Sequence, residues 1–323
     1  MIKSKLRLFV ATFFGLLLIS LSFSTVICNC SETKYIYVYP INNPCPWRGM
    51  TFNSYYAGEV YIDIRDSSQG NNPGGETARA YCIHLDGVIY THTEYPVTLE
   101  SVSDTEEWRE IAYILTWYDP PENDTVGVWI QGALWFILNN RIPNFIPNEY
   151  HGGIMALVNE AANKDVIREN DIFEWITPVP GNNTYIIANP GDTITLEAKI
   201  TNSTNHPRSG VKVEFSITGG GYLNTVVGWT NSEGIVTVEV TVPNHVADIE
   251  VKASTRGVWP QKYIYLGGNR QNLLGIDTTY ELTVSTNIWI IANIHVIPEL
   301  PFGTLAAVAT CLFAYLVKSK LQA

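Results

Sequence analysis

Two rhythms of apolar residues divide the chain. In the first half, apolar positions recur at helical spacing in three stretches; in the second half they alternate strictly with polar ones. Residues 106–118 carry Ile111, Ile114 and Leu115 on one face and stop before Pro120-Pro121, which predicts a helix. Residues 125–139, Thr-Val-Gly-Val-Trp-Ile-Gln-Gly-Ala-Leu-Trp-Phe-Ile-Leu-Asn, are apolar on every side and predict a buried helix capped by Asp124 or Thr125. Residues 149–163 present Ile154, Leu157, Val158 and Ala161 and predict a third helix. Strands are expected at 34–38, 58–64, 79–85 and 88–91, the last two joined by a tight turn at Asp86-Gly87. Strands followed by a run of helices define an α+β domain, expected over residues 25–178.

The rhythm changes at Thr177-Pro178-Val179-Pro180-Gly181-Asn182-Asn183, the expected boundary. Beyond it, Ile194, Leu196, Ala198 and Ile200 form one inward row; Val211, Val213, Phe215 and Ile217 a second; Val236, Val238, Val240 and Val242 a third; Ile249, Val251 and Ala253 a fourth. Strands at this spacing, separated by Gly, Asn and Pro turns, predict an all-β immunoglobulin-like sandwich over 184–286. Strand candidates at 262–266 and 279–285 either complete that sandwich or begin a stalk, and residues 287–301 are expected to be a linker.

The ends have another character. Residues 1–24 combine a basic start, an apolar run at 8–21 and Ser22-Phe23-Ser24, the pattern of a secretory signal peptide. Residues 302–317 are uncharged and apolar and precede Lys318-Ser319-Lys320, so a C-terminal transmembrane helix with its lysines inside is expected. The body is therefore expected outside the cell, tethered to the membrane by its C-terminus. Asn29, Asn123, Asn182 and Asn202 each fit Asn-x-Ser/Thr, the glycosylation acceptor pattern of exported chains. The formal charge is -11 over 323 residues, and without the five basic residues of the two ends the body holds 15 basic against 31 acidic side chains. Such a body repels nucleic acid.

Five cysteines are present, with Cys311 inside the apolar C-terminal stretch and Cys28, Cys30 and Cys45 near the expected mature N-terminus. Cys30 and Cys45 are candidates for a disulfide, as is Cys82 in an exported chain. No His, Cys, Asp or Glu spacing suggests a metal, and Gly219-Gly220-Gly221 and Gly267-Gly268 lie between strands, where they cradle no phosphate, so no cofactor is expected.

One residue breaks the pattern. Gln131 shares a helical face with Val128, Trp135 and Leu138, a carboxamide where a hydrophobe is expected. An unpaired buried amide costs on the order of 1–3 kcal/mol, so Gln131 either has hidden partners or is there for its chemistry.

Three motifs in order bear on that choice: Ala80-Tyr81-Cys82-Ile83; Ile111-Ala112-Tyr113-Ile114-Leu115-Thr116 ahead of Tyr118-Asp119-Pro120; and Ile130-Gln131-Gly132-Ala133-Leu134-Trp135. Together, over roughly residues 55–162, they resemble the thioester domains of Gram-positive surface adhesins, with Ile130 and Leu134 in place of that family's Thr and Ile. The resemblance implies a covalent bond between the Cys82 sulfur and the Gln131 acyl group, open to attack by a lysine or polyamine on a partner surface. The run 210–215 with Thr230-Asn231-Ser232-Glu233-Gly234 resembles invasin-type bacterial Ig-like domains, which implies a spacer. Pro298-Glu299-Leu300-Pro301-Phe302-Gly303-Thr304 resembles archaeal C-terminal sorting tails, which implies tail cleavage and lipid attachment. The expected molecule is a single-turnover adhesin and not an enzyme. Two other readings stand beside it: a structural stalk protein with Cys82 in a disulfide, and a secreted cysteine hydrolase using Cys82, His84 and Asp86.

Overall fold

The computed structural model describes residues 33–40, 47–71, 74–85, 89–177, 185–267, 272–276 and 282–292. The signal peptide, the C-terminal apolar stretch and sorting motif, the four other cysteines, Asn29, Asn182 and Asp86 all lie outside them.

The first unit is a closed barrel covered by helices. Its strands are β1 (Lys34–Val38), β4 (Val60–Arg65), β5 (Glu76–Cys82), β6 (Thr93–Ser101), β15 (Gln261–Tyr265) and β16 (Leu273–Ile276), in the order β1-β4-β5-β16-β15-β6. Ile36, Val38, Val60, Ile62, Ala78, Ala80, Tyr95, Val97, Tyr263 and Leu273 fill its interior. Alternation sends Tyr81 out of the barrel into a second core, where it meets α1 (Glu106–Tyr118), α2 (Asp124–Asn139) and α3 (Asn148–Ala161). A hairpin of β2 (Gly49–Phe52) and β3 (Tyr55–Gly58) packs on α2. Closure removes the exposed edges that an open six-stranded sheet would present.

Helical patterning fixed the three helices to within a residue or two, but the cap differs. Asn123, not Asp124 or Thr125, holds the α2 N-terminus by accepting the Val126 N–H at 3.1 Å. The strand expected at 79–85 ends at Cys82, and the residues described after the expected turn, 89–92, are not strand; β6 begins at Thr93 instead.

The second unit is a sandwich of two sheets, with the four inward rows meeting in one core. One sheet orders β12 (Val227–Trp229), β10 (Lys212–Thr218), β14 (Ala247–Gly257), β17 (Leu282–Ala292) and β8 (Tyr185–Ala188). The other orders β11 (Tyr222–Leu223), β13 (Ile235–Thr241), β9 (Thr193–Thr201) and β7 (Ile172–Thr177).

Neither unit is continuous in sequence. β7 precedes the expected boundary yet pairs with β9, and β17 runs through Ala292, so the segment expected as linker starts inside a strand. More consequentially, the chain leaves the sandwich after β14, forms the β15–β16 hairpin that closes the barrel between β6 and β5, and returns as β17 to pair with β14 over eleven residues. The candidates at 262–266 and 279–285 therefore divide: the first belongs to the barrel, and the described part of the second to the sandwich.

Ion pairs and cation–π contacts join the units. Asp104 binds both Arg109, at 2.6 Å, and Arg168, also at 2.6 Å; Arg168 pairs with Asp165 at 2.9 Å and lies 3.8 Å from the Trp259 ring centre. Lys212 and Arg256, both from the sandwich, sit over Trp117 of α1. Buried Thr116 accepts the Val258 N–H at 2.8 Å, just before the chain enters the barrel hairpin.

Candidate functional site

The site forms where β4 and β5 part. Their ladder ends with Val60 opposite Ala80, so the position facing Cys82 on that side has no strand partner. On the other side Cys82 stands opposite Leu273, and Ile83 donates its N–H to the Asn272 carbonyl at 3.2 Å. In an antiparallel ladder successive residues point their backbone groups to opposite sides, so the Cys82 N–H and C=O both face the gap left by β4. Two strong backbone groups buried without partners would cost several kcal/mol.

Gln131 fills the gap. Its Oε1 accepts the Cys82 N–H at 3.0 Å, and its Nε2 donates to the Cys82 carbonyl at 2.7 Å. The side-chain amide thus reproduces the paired donor and acceptor of a neighbouring strand residue. Bonds from both of its polar atoms to one residue bracket the Cys82 α-carbon and set the carboxamide carbon opposite it. The buried amide, 1% exposed, thus has a partner for both its oxygen and its nitrogen, which offsets most of its cost.

Close packing delivers Gln131 to this place. Gly127, one turn earlier on the same face of α2, lies against the Arg48 carbonyl: a Cβ there would stand 2.1 Å from that oxygen. A Cβ on Gly132 would stand 2.4 Å from Ile154 Cδ1, and one on Gly153 would stand 2.1 Å from the Trp129 ring, so glycines let α2 approach both β2 and α3.

Cys82 is half-buried at the end of β5. It lines a cavity of about 340 Å³ walled by Trp47, Tyr55, Tyr56, Tyr90, Trp135 and Phe145. Tyr55 stacks on Phe145 with ring centres 4.9 Å apart, and Phe145 meets Trp135 edge-on. Trp135 is buried, whereas Trp129 and Phe136 are half-buried. His84 is exposed at the same cavity. Among the described residues no His, Cys, Asp and Glu group could hold a metal. Asn123 and Asn202 are engaged as a helix cap and as a turn acceptor for Thr204 and His206.

Sequence reasoning missed Glu59 altogether. It is the residue at the parting of the strands, wholly buried, and neither carboxylate oxygen forms a hydrogen bond of normal geometry among the described residues. Burial pushes its acid up to about 7; the Tyr61 hydroxyl pulls it down, Asp119 raises it, and Arg79 and Arg48 lower it. An acidic residue beside Gly58 in an otherwise strand-like run was the available signal.

Residues 179–261 match the family model of the bacterial Ig-like domain (group 1). A comparison with curated proteins gives no match. Among solved structures, the chain is similar to the Bacillus anthracis TIE protein, at 12% identity and a TM-score of 0.34, over 81% of this chain and 49% of that one. The chain thus spans about half the length of that structure. It is also similar to the thioester domain of the Enterococcus faecium TIE86 protein, at 12% identity and a TM-score of 0.31, over 80% of this chain and 95% of that one. The D00-D0 domain of intimin matches at 17% identity and a TM-score of 0.23, over 40% of this chain and 51% of that one.

Among the described residues no helix is long and apolar enough to cross a membrane.

Proposed function

We propose that this chain is a cell-surface adhesin that bonds covalently to its target through a thioester between Cys82 and Gln131. The observation that carries the reading is the double hydrogen bond between the Gln131 carboxamide and the Cys82 backbone. It holds an acyl carbon beside a cysteine, where effective molarity replaces an external energy source. The Cys82 sulfur attacks the Gln131 carbonyl carbon, forming an S–C bond. The Cys82 N–H, already on Oε1, stabilises the oxyanion that develops there. The C–N bond then breaks, and the nitrogen leaves as ammonia carrying the thiol proton. A primary amine of a partner, a protein lysine or a polyamine, later attacks the same carbon through the aromatic cavity. An amide to the partner forms and the Cys82 thiol is released. The reaction occurs once per molecule, so the chain is not a turnover enzyme. The Ig-like unit serves as the spacer, and residues 302–317 would tether it to the membrane.

Intact-mass measurement tests the proposal. The thioester form is lighter than the sequence mass by one ammonia, the deficit vanishes in Cys82→Ala and Gln131→Ala, and methylamine adds at Gln131. A full sequence mass with no methylamine adduct would refute it. Turnover of a peptide or ester substrate, abolished by His84→Ala, would instead establish a hydrolase.

A further inference from the structure

We propose that His84 is the base of the capture step, taking the proton that the partner's amine sheds as it attacks the Gln131 acyl carbon. The role rests on the thioester reading.

The placement follows from the end of β5. Ile83 carries the pairing with the β16 side one residue past Cys82, donating its N–H to the Asn272 carbonyl at 3.2 Å. Tyr81 and Ile83 are both buried in the helix-covered core, so alternation turns Cys82 and His84 together to the other face. Both line the same cavity there, of about 340 Å³. Residues two apart on an extended run stand roughly 6–7 Å from each other. Parallel side chains at that separation are poorly placed to exchange a proton directly, but they suit a third group held between them. A nucleophile reacts from about 3–3.5 Å and a base works within about 2.6–3.2 Å, so one nitrogen spans the interval between an acyl carbon on the Cys82 sulfur and the His84 imidazole.

The rest of the cavity offers no substitute. Among the described residues that line it there is no Asp, Glu, Lys or Arg. Tyr55, Tyr56 and Tyr90 also line it, but phenols ordinarily hold their protons at neutral pH, and in Tyr56 burial, ahead of the charges of Glu59 and Asp124, pushes the acid higher still. Trp47, Trp135 and Phe145 add apolar walls, which favour the neutral, nucleophilic form of an alkylamine over its ammonium. An imidazole is the side chain that ordinarily exchanges its proton between pH 5 and 8.

Protons are conserved through the step. As the amine nitrogen bonds to the acyl carbon it gains positive charge and becomes acidic, and the imidazole takes one of its protons. The carbon–sulfur bond then breaks, leaving an amide on Gln131 and a thiolate on Cys82. His84 is exposed, so the imidazolium returns its proton to water, and the thiolate takes one from water to become the thiol.

The test uses the full chain with its thioester closed, opened by methylamine and followed by intact mass. His84→Ala is expected to form the adduct roughly a hundredfold more slowly than wild type, at the lower end of the range for general base catalysis, and His84→Gln, which keeps bulk without the base, to be equally slow. Imidazole added to the buffer is expected to restore part of the rate in His84→Ala. Equal rates for wild type and His84→Ala would overturn the proposal, as would a loss that His84→Gln restores or that imidazole leaves untouched, either of which marks a structural role. Should neither variant close its thioester, wild type decides: at a fixed concentration of free amine the rate is expected to rise with pH between 5 and 8, and a flat profile rejects the role. A wild-type chain with no ammonia deficit would reject the thioester reading itself, a result distinct from these.

Discussion

Gln131 presents its carboxamide to Cys82 as a strand residue presents its peptide, with the Cys82 N–H 3.0 Å from Oε1 and the Cys82 carbonyl 2.7 Å from Nε2. The helix thereby completes a sheet that β4 leaves unfinished, and the structural role uses the same atoms as the proposed chemical one.

The two roles separate by substitution. Gln131→Leu keeps the volume and removes both bonds, leaving two buried backbone groups unpaired. It is expected to cost about 2–4 kcal/mol in urea denaturation. Cys82→Ser leaves the backbone bonds intact, so it is expected to cost less than about 1.5 kcal/mol while abolishing the ammonia deficit. Equal costs for the two variants would remove the strand-mimic account.

Gly127→Ala tests how α2 is seated. Its Cβ would fall 2.1 Å from a backbone oxygen that cannot rotate away, so α2 must shift and carry Gln131 with it. A loss of more than about 2 kcal/mol is expected, within the range for overpacking, together with loss of thioester formation. Gly152→Ala, with open space around the position, is the control and is expected to do neither.

The hairpin donated by the sandwich region should govern access to Cys82. Leu273 is fully buried and stands opposite Cys82. Leu273→Ala is expected to cost about 2–5 kcal/mol and to speed modification of the Cys82 thiol by a disulfide reagent in a chain first opened with methylamine. Unchanged thiol kinetics would mean that β16 does not control the strand.

Breaking the junction network should be costly. Asp165 is buried, and burial raises its acid despite Arg168 and Arg208 beside it. Arg168→Ala leaves that carboxylate short of its nearest partner and is expected to cost about 3–5 kcal/mol. Asp165→Asn in the same background is expected to recover part of the loss, measured by a double-mutant cycle.

Stability should fall with rising pH because of Glu59. Its folded acid lies near 7, above the unfolded value of 4.5, so between these values the unfolded chain loses its proton first. The contribution is full below about pH 4.5 and gone above about pH 7, on the order of 3 kcal/mol at most. Glu59→Gln is expected to flatten this decline in denaturation curves taken from pH 4 to 8. A decline that persists unchanged in the variant assigns it to other groups.

The sequence alone determined the helices, the inward rows of the sandwich and the oddity of Gln131, because periodicity and local composition are carried by near neighbours in the chain. Ile111, Leu134 and Val238 are buried where their spacing put them. It also supplied Cys82 and Gln131 as a pair through motif order. Only the tertiary structure decided what the amide touches. No local rule states that β4 stops opposite Ala80, that Asn123 is the cap, or that a hairpin from beyond residue 260 enters a barrel begun at residue 34. Those facts are set by pairing between residues far apart in the chain, through which Glu59, unremarkable in sequence, becomes a wholly buried acid.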